Sequence, residues 1–125
     1  MVLNHLNLVV PNVTETAEFF AKHFRFELEP SRSDLLKILR SQDGFVLIIS
    51  NLPGTTSYDY PKDFHIGFYQ PDRSAVDELF SQIKADVPGM ELEPRRIRDR
   101  YGFYFYAPGN ILTEITCELE DSKSV

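Results

Sequence analysis

A chain of 125 residues can bury a core of its own, and 42% hydrophobic with 26% charged residues is the balance of an ordinary globular protein. The formal net charge of −6 disfavours nonspecific binding to nucleic acid or anionic membrane, and no stretch approaches the roughly 20 apolar residues of a membrane span. The single cysteine, Cys117, excludes an internal disulfide and a thiolate cluster; without the features of a secretion signal at the N-terminus, a soluble cytoplasmic protein is expected, with Cys117 as core filler.

The first strand is expected over residues 2–10, where Val and Leu alternate with polar residues. Asn12 followed by Glu15 resembles a capping box, and Val13, Ala17, Phe20 and Phe24 form one apolar helical stripe. His23 in that helix, beside Lys22, reads as a surface residue. Strands follow at 26–29, 35–40 and 45–50, separated by turn signals at Ser-Arg-Ser and Gln-Asp-Gly. Residues 51–61 form a turn-rich connector that is either mobile or lies over a site. A strand at 63–70 then leads into a helix capped by Asp72 or Ser74, with Val76, Leu79, Phe80 and Ile83 on one side. The last strands are expected near 91–97, 102–107 and 111–118.

The two series repeat one another. Leu-Asn-His5-Leu-Asn-Leu-Val-Val-Pro11 aligns with Asp-Phe-His65-Ile-Gly-Phe-Tyr-Gln-Pro71, and Phe20 with Phe80, at a constant displacement of 60. Glu27-Leu-Glu-Pro30 returns as Glu91-Leu-Glu-Pro94, so the second half carries about four extra residues near the Pro88-Gly89 turn. The expectation is an α+β fold of two βαβββ units: a single domain over 1–125 with halves near 1–52 and 62–118 and a tail at 119–125.

Strand parity sorts the side chains by face. Leu6, Leu8 and Val10 oppose His5, Asn7 and Val9. Phe64, Ile66 and Phe68 oppose His65, Gly67 and Tyr69. Phe103 and Phe105 oppose Tyr104 and Tyr106, while Ile111, Thr113, Ile115 and Cys117 oppose Leu112, Glu114 and Thr116. Glu114 is thereby placed where a carboxylate is half-buried and needs a partner. Taken singly, a strand histidine is an ordinary hydrogen-bonded residue and a strand glutamate faces water. Taken together, His5, His65 and Glu114 form a set that holds Fe, Mn, Zn, Ni or Co as one divalent ion with positions open for substrate. The basic run Arg95-Arg96-Ile-Arg98-Asp-Arg100 reads first as a solvated strand edge, with a local anion contact as the sharper alternative.

These residues resemble the vicinal oxygen chelate superfamily, which includes glyoxalase I, methylmalonyl-CoA epimerase, extradiol dioxygenases, fosfomycin-modifying enzymes and bleomycin-resistance proteins. The likeness rests on Leu-Asn-His5-Leu-Asn-Leu-Val-Val, on Phe-His65-Ile-Gly-Phe, and on Gly-Phe-Tyr104-Phe-Tyr-Ala-Pro108-Gly-Asn-Ile-Leu-Thr-Glu114-Ile. It implies a partly open, eight-stranded, glyoxalase-like cup with a metal on His5, His65 and Glu114. It also implies a homodimer whose sites draw ligands from both subunits.

The departures narrow the chemistry. Glyoxalase I carries a fourth, carboxylate ligand in the fourth strand, where this chain has Leu47, Ile48, Ile49 and Ser50. The cation loop and the later basic residue of the fosfomycin enzymes find no convincing counterpart. Extradiol dioxygenases share the tyrosine ten residues before the glutamate, here Tyr104, but use a further histidine, and only His23 remains. The expected function is metal-dependent chemistry on a small oxygen-chelating substrate, by a lyase or isomerase, a transferase or a dioxygenase. Tyr104 is the candidate for hydrogen bonding or proton transfer, equally readable as a satisfied core tyrosine, and Asn7 and Arg98 are candidate substrate contacts. The alternative is a metal-free dimer that sequesters a drug, as bleomycin-resistance proteins do, using the six tyrosines and ten phenylalanines.

Overall fold

The computed structural model describes residues 1–119, so residues 120–125 of the expected tail lie outside the described residues. In chain order the elements are β1 (His5–Val9), α1 (Val13–Phe24), β2 (Glu27–Leu28), β3 (Leu36–Arg40), β4 (Val46–Ser50), β5 (Ile66–Tyr69), α2 (Arg73–Asp86), β6 (Arg95–Ile97), β7 (Arg100–Ala107) and β8 (Ile111–Glu118). This is the expected βαβββ unit, twice. The strands form two four-stranded sheets, ordered β1-β4-β3-β2 and β5-β8-β7-β6, neither of them closed. In each, the first strand pairs parallel with the last and the other pairings are antiparallel. Among the described residues no helix is long and apolar enough to cross a membrane.

The chain divides into two compact units, Met1–Pro61 with Pro108–Asn110, and Lys62–Ala107 with the residues from Ile111 onward. In the first unit, the Asn12 side chain accepts a hydrogen bond from the Glu15 amide and caps α1, which ends at Arg25 in the left-handed conformation. The helix packs on β3 and β4, and its stripe of Val13, Ala17 and Phe20 is buried together with Leu8, Val10, Leu39, Leu47 and Ile49. Each of the buried Val, Leu, Ile and Phe side chains contributes roughly 1.5–3 kcal/mol by leaving water.

His23 corrects the sequence reading: it is buried, 5% exposed, with its ring 4.6 Å from that of Phe19. It lies three positions after Phe20 and four after Phe19, so helical period carries it onto the packed face whatever its polarity.

The connector at 51–61 is held along the first unit. Buried Asn51 donates to the carbonyls of Pro11 and Thr55 and accepts from the Thr55 amide and the Tyr58 hydroxyl. Tyr60 turns its hydroxyl onto the free edge of β1, accepting from the Val9 amide at 2.8 Å and donating to the Val9 carbonyl at 2.6 Å. Both backbone groups of one edge residue are satisfied by one phenol. Gly109, with φ 88°, holds a position closed to a side chain, since a β-carbon there would stand 2.5 Å from Val10 Cγ1.

In the second unit Asp72 caps α2 by accepting from the Ala75 amide, and Val76, Leu79, Phe80 and Ile83 pack on the sheet, Phe80 meeting Phe103 edge to face. Cys117 lies in this core, fully buried. The strands β1 to β6 are all shorter than the pattern suggested, most of all β1, which begins at His5, β5, which begins only at Ile66, and β6, which begins only at Arg95, after Pro94, which has no amide to donate. On the α2 side of the sheet, the Tyr101 hydroxyl donates to Asp77 at 2.6 Å and the Arg73 guanidinium covers its ring at 4.2 Å.

Two outcomes follow. Tyr60→Phe strips Val9 of both partners and lowers unfolding free energy in urea at neutral pH by about 1–3 kcal/mol. The hydrogen bond to Asp77, then burial, hold the Tyr101 hydroxyl above its ordinary pKa, against an opposing effect of Arg73. Because the folded value is the raised one, the contribution is fully present below about pH 10 and is lost as pH rises through the folded value. Tyr101→Phe therefore costs about 1 kcal/mol at pH 7–9, and wild type and variant converge in more alkaline urea titrations.

Candidate functional site

The second unit gathers a polar cluster on the sheet face away from α2. Parallel pairing of β5 with β8 sets Gly67 opposite Glu114, and antiparallel pairing of β7 with β8 sets Tyr104 opposite Glu114 from the other side. Glycine at 67 leaves the space beside the carboxylate clear, its would-be β-carbon standing 3.9 Å from that of Glu114. His65 lies on the same parity as Gly67, one residue ahead of β5.

Glu114 accepts a 2.7 Å hydrogen bond from the Tyr104 hydroxyl on Oε2, and the same oxygen lies 3.5 Å from His65 Nε2. The carboxylate is 21% exposed and the imidazole 43%. The hydrogen bond to Glu114, with burial and the Glu114 charge adding to it, raises the Tyr104 pKa, while Arg98 and Arg95 pull it down. Tyr104 therefore stands as a neutral donor. His65, Gly67, Tyr69, Arg100, Glu114 and Thr116 line a cleft of about 280 Å³.

The other ring nitrogen of each histidine decides what it can do. His65 Nδ1 meets the Asp63 carbonyl at 2.9 Å, and a carbonyl only accepts, so Nδ1 carries the proton and Nε2 presents its lone pair towards Glu114. In the first unit His5, exposed at the start of β1, has its Nδ1 2.7 Å from Asn4 Oδ1. The amide oxygen likewise accepts a hydrogen bond from Nδ1–H, which leaves the lone pair on Nε2. Metal-bound histidines are typically oriented through the second nitrogen in this way. The 3.5 Å between His65 Nε2 and Glu114 Oε2 is long for a hydrogen bond and suits two ligands that each sit roughly 2.0–2.2 Å from one ion. The pair thus fits a divalent metal. Among the described residues no group of three His, Cys, Asp or Glu side chains is gathered for one.

Of the remaining candidates, Asn7 lies in the first unit, exposed, with its Oδ1 accepting from buried Ser50 at 2.8 Å. Arg98 occupies the exposed β6–β7 turn with φ 54°, and its carbonyl accepts from Arg96 Nε. Arg100, by contrast, is half-buried and stacks its guanidinium 4.4 Å from the Tyr69 ring centroid. Sequence reasoning treated it only as one of four arginines in a run. Its even-numbered place on β7, with Gly102 and Tyr104, was the signal that assigns it to the site face.

The family model for the Glyoxalase/Bleomycin resistance protein/Dioxygenase superfamily matches residues 2–115. The chain belongs to that superfamily, the vicinal oxygen chelate superfamily. A possible glyoxalase from Bacillus cereus is 32% identical over 94% of this chain and 99% of its own, with a TM-score of 0.79. The fosfomycin resistance protein FosX of Listeria monocytogenes is 26% identical, over 99% of this chain and 98% of its own, with a TM-score of 0.74. The lactoylglutathione lyase of Agrobacterium tumefaciens shares the fold, at 16% identity over 93% of this chain and 92% of its own, with a TM-score of 0.71. Comparison with curated proteins gave no match.

The tautomers are directly measurable. In metal-free protein at pH 8, long-range ¹H–¹⁵N correlation spectra should show His65 and His5 with protonated Nδ1 and bare Nε2; an Nε2–H form of His65 would remove the geometric basis for its role as a ligand.

Proposed function

We propose that the protein is a cytoplasmic, divalent-metal-dependent enzyme acting on a small oxygen-chelating substrate. The observation that carries the reading is His65 Nε2, freed by the Asp63 carbonyl and facing the Glu114 carboxylate across 3.5 Å. His5, its equivalent in the first half and oriented by Asn4 in the same sense, supplies the third ligand. The protein works as a homodimer whose sites draw ligands from both subunits. The ion is Fe, Mn, Zn, Ni or Co, which this donor set accepts alike. Bound there, it would supply Lewis acidity towards two neighbouring substrate oxygens, or dioxygen activation if it is iron.

Tyr104 donates its one hydroxyl hydrogen to Glu114 Oε2; with the carboxylate committed to an ion, that hydrogen would be released for a substrate oxygen beside it. Its raised pKa favours the donor role over that of a base. Asn7 and Arg98 serve as further substrate contacts, one as a neutral donor and acceptor and the other through its charge. Proton-shuttling isomerisation, which needs a second strong acid or base, is less favoured than addition or ring opening.

A second reading has its own support. Pro88, Met90, Leu92, Tyr104, Phe105 and Tyr106 line an open groove of about 380 Å³, with Leu92 64% and Tyr106 56% exposed. Such a groove suits a flat apolar drug held without metal. Chelation separates the two readings, because a drug binder is indifferent to it.

Metal analysis of purified dimer, before and after reconstitution, is the test. About one ion per subunit is expected, with affinity lowered at least tenfold in each of His5→Ala, His65→Ala and Glu114→Ala, and the identity of the ion selects the reaction to assay. Failure to retain any of the five metals after reconstitution would refute the metalloenzyme reading.

A further inference from the structure

Four arginines fall between residues 95 and 100, and the fold treats one of them differently. Arg95, Arg96 and Arg98 are exposed on the edge strand and its turn. Arg100 opens β7 half-buried and lines the cleft that also contains His65 and Glu114. Its guanidinium lies against the Tyr69 ring at 4.4 Å, a contact that fixes the plane of the fork and covers one face from water. Nη1 is buried, and among the described residues it has no hydrogen-bond acceptor. A buried charged donor with no acceptor carries its desolvation cost uncompensated. The side chain that carries it lines a cleft open to small molecules.

We propose that Arg100, held by Tyr69, is a specificity-determining residue that binds an oxyanion group, carboxylate or phosphoryl, of the molecule occupying the His65–Glu114 cleft. The guanidinium fork matches such groups in geometry and charge. Glu114 in the same cleft repels an anion unless a cation intervenes, so the assignment rests on the metal reading for its full affinity. The ligand class is therefore a compact molecule with two neighbouring oxygens at one end and an oxyanion at the other. A volume of about 280 Å³, near the lower limit for ligand pockets, restricts it to a few carbons or a single ring.

Binding of three probes to the full chain, by calorimetry with and without reconstituted metal, tests this: oxalate as a carboxylate, inorganic phosphate as a phosphoryl group, and catechol as a neutral vicinal-oxygen ligand. Arg100→Met keeps the length of stem that covers Tyr69 and removes the charge; Arg100→Lys keeps a point charge and loses the fork. At least one anion should bind wild type tenfold or more tightly than Arg100→Met, with Arg100→Lys between them and catechol unchanged within twofold. Which anion responds separates carboxylate from phosphoryl recognition. Equal anion affinity in wild type and Arg100→Met, or no anion binding to wild type in either state, overturns the proposal. Metal affinity should be the same in wild type and Arg100→Met. If neither takes up metal, the metalloenzyme reading fails by itself, and phosphate binding to the metal-free chains still reports on Arg100. Tyr69→Leu, a milder change, should weaken anion binding severalfold, and unaltered affinity would contradict the stacking argument.

Discussion

A carboxylate standing in the middle of a sheet is the constraint around which the second unit is arranged. Glu114 is flanked on β8 by Thr113 and Ile115, both fully buried, so its backbone position is anchored by core packing and cannot retreat towards water. Its side chain must find partners on the open face. Strand pairing supplies them at short range: Tyr104 directly opposite on β7 donates to it, and Gly67 directly opposite on β5 leaves room. A larger side chain at 67 would compete for the space through which the carboxylate and His65 approach each other. The 2.9 Å contact from His65 to the Asp63 carbonyl then turns the imidazole so that its basic nitrogen completes the set. Local backbone at 63–65, just outside the strand, is thus part of the site.

Most of the architecture could be read from residues because alternation and repeat carry it. The order of ten elements, the Asn12 and Asp72 caps, and the face of every strand side chain named in the site all depend on period two, period 3.6 or the displacement of 60. Failures occur where identity was allowed to override period. The polarity of His23 beside Lys22 suggests a surface site, but Phe19 and Phe20 place it on the packed face. The charged neighbours of Arg100 suggest a solvated edge, but its parity on β7 turns it to the site face, where it lines the cleft. The connector at 51–61 gave turn signals only, and its attachment through Asn51 and Tyr60 depends on contacts with Pro11 and Val9, about 40 to 51 residues away in sequence, which no local pattern encodes.

The two halves share a backbone plan but diverge at one paired position. In the second unit Glu114 faces Gly67 and Tyr104; at the equivalent register of the first, Ile48 faces Asn7 and Ile38. A carboxylate–phenol pair on one sheet is matched by an isoleucine pair on the other. The fourth-strand carboxylate of glyoxalase I therefore has no acidic counterpart here, and register, beyond alignment alone, identifies Ile48 at the position facing Asn7.

The proposed donor set has an electrostatic consequence of its own. Two neutral imidazoles and one carboxylate around a divalent ion leave a net charge of +1, whereas a second carboxylate would leave none. A centre that retains positive charge favours an anionic ligand, or one that becomes anionic as it reacts, because the attraction acts in a cleft where solvent screening is reduced. Arg100 adds a second positive charge to the same cleft, fixed against Tyr69 and without an acceptor on Nη1 among the described residues. With Glu114 committed to the ion, the other lining residues, His65, Gly67, Phe68, Tyr69 and Thr116, bring no carboxylate, and the acid set opposite Arg100 in the β7–β8 pairing, Glu118, stands outside the lining. The charge of such a centre and the Arg100 guanidinium thus act in the same direction: each favours a ligand that brings negative charge.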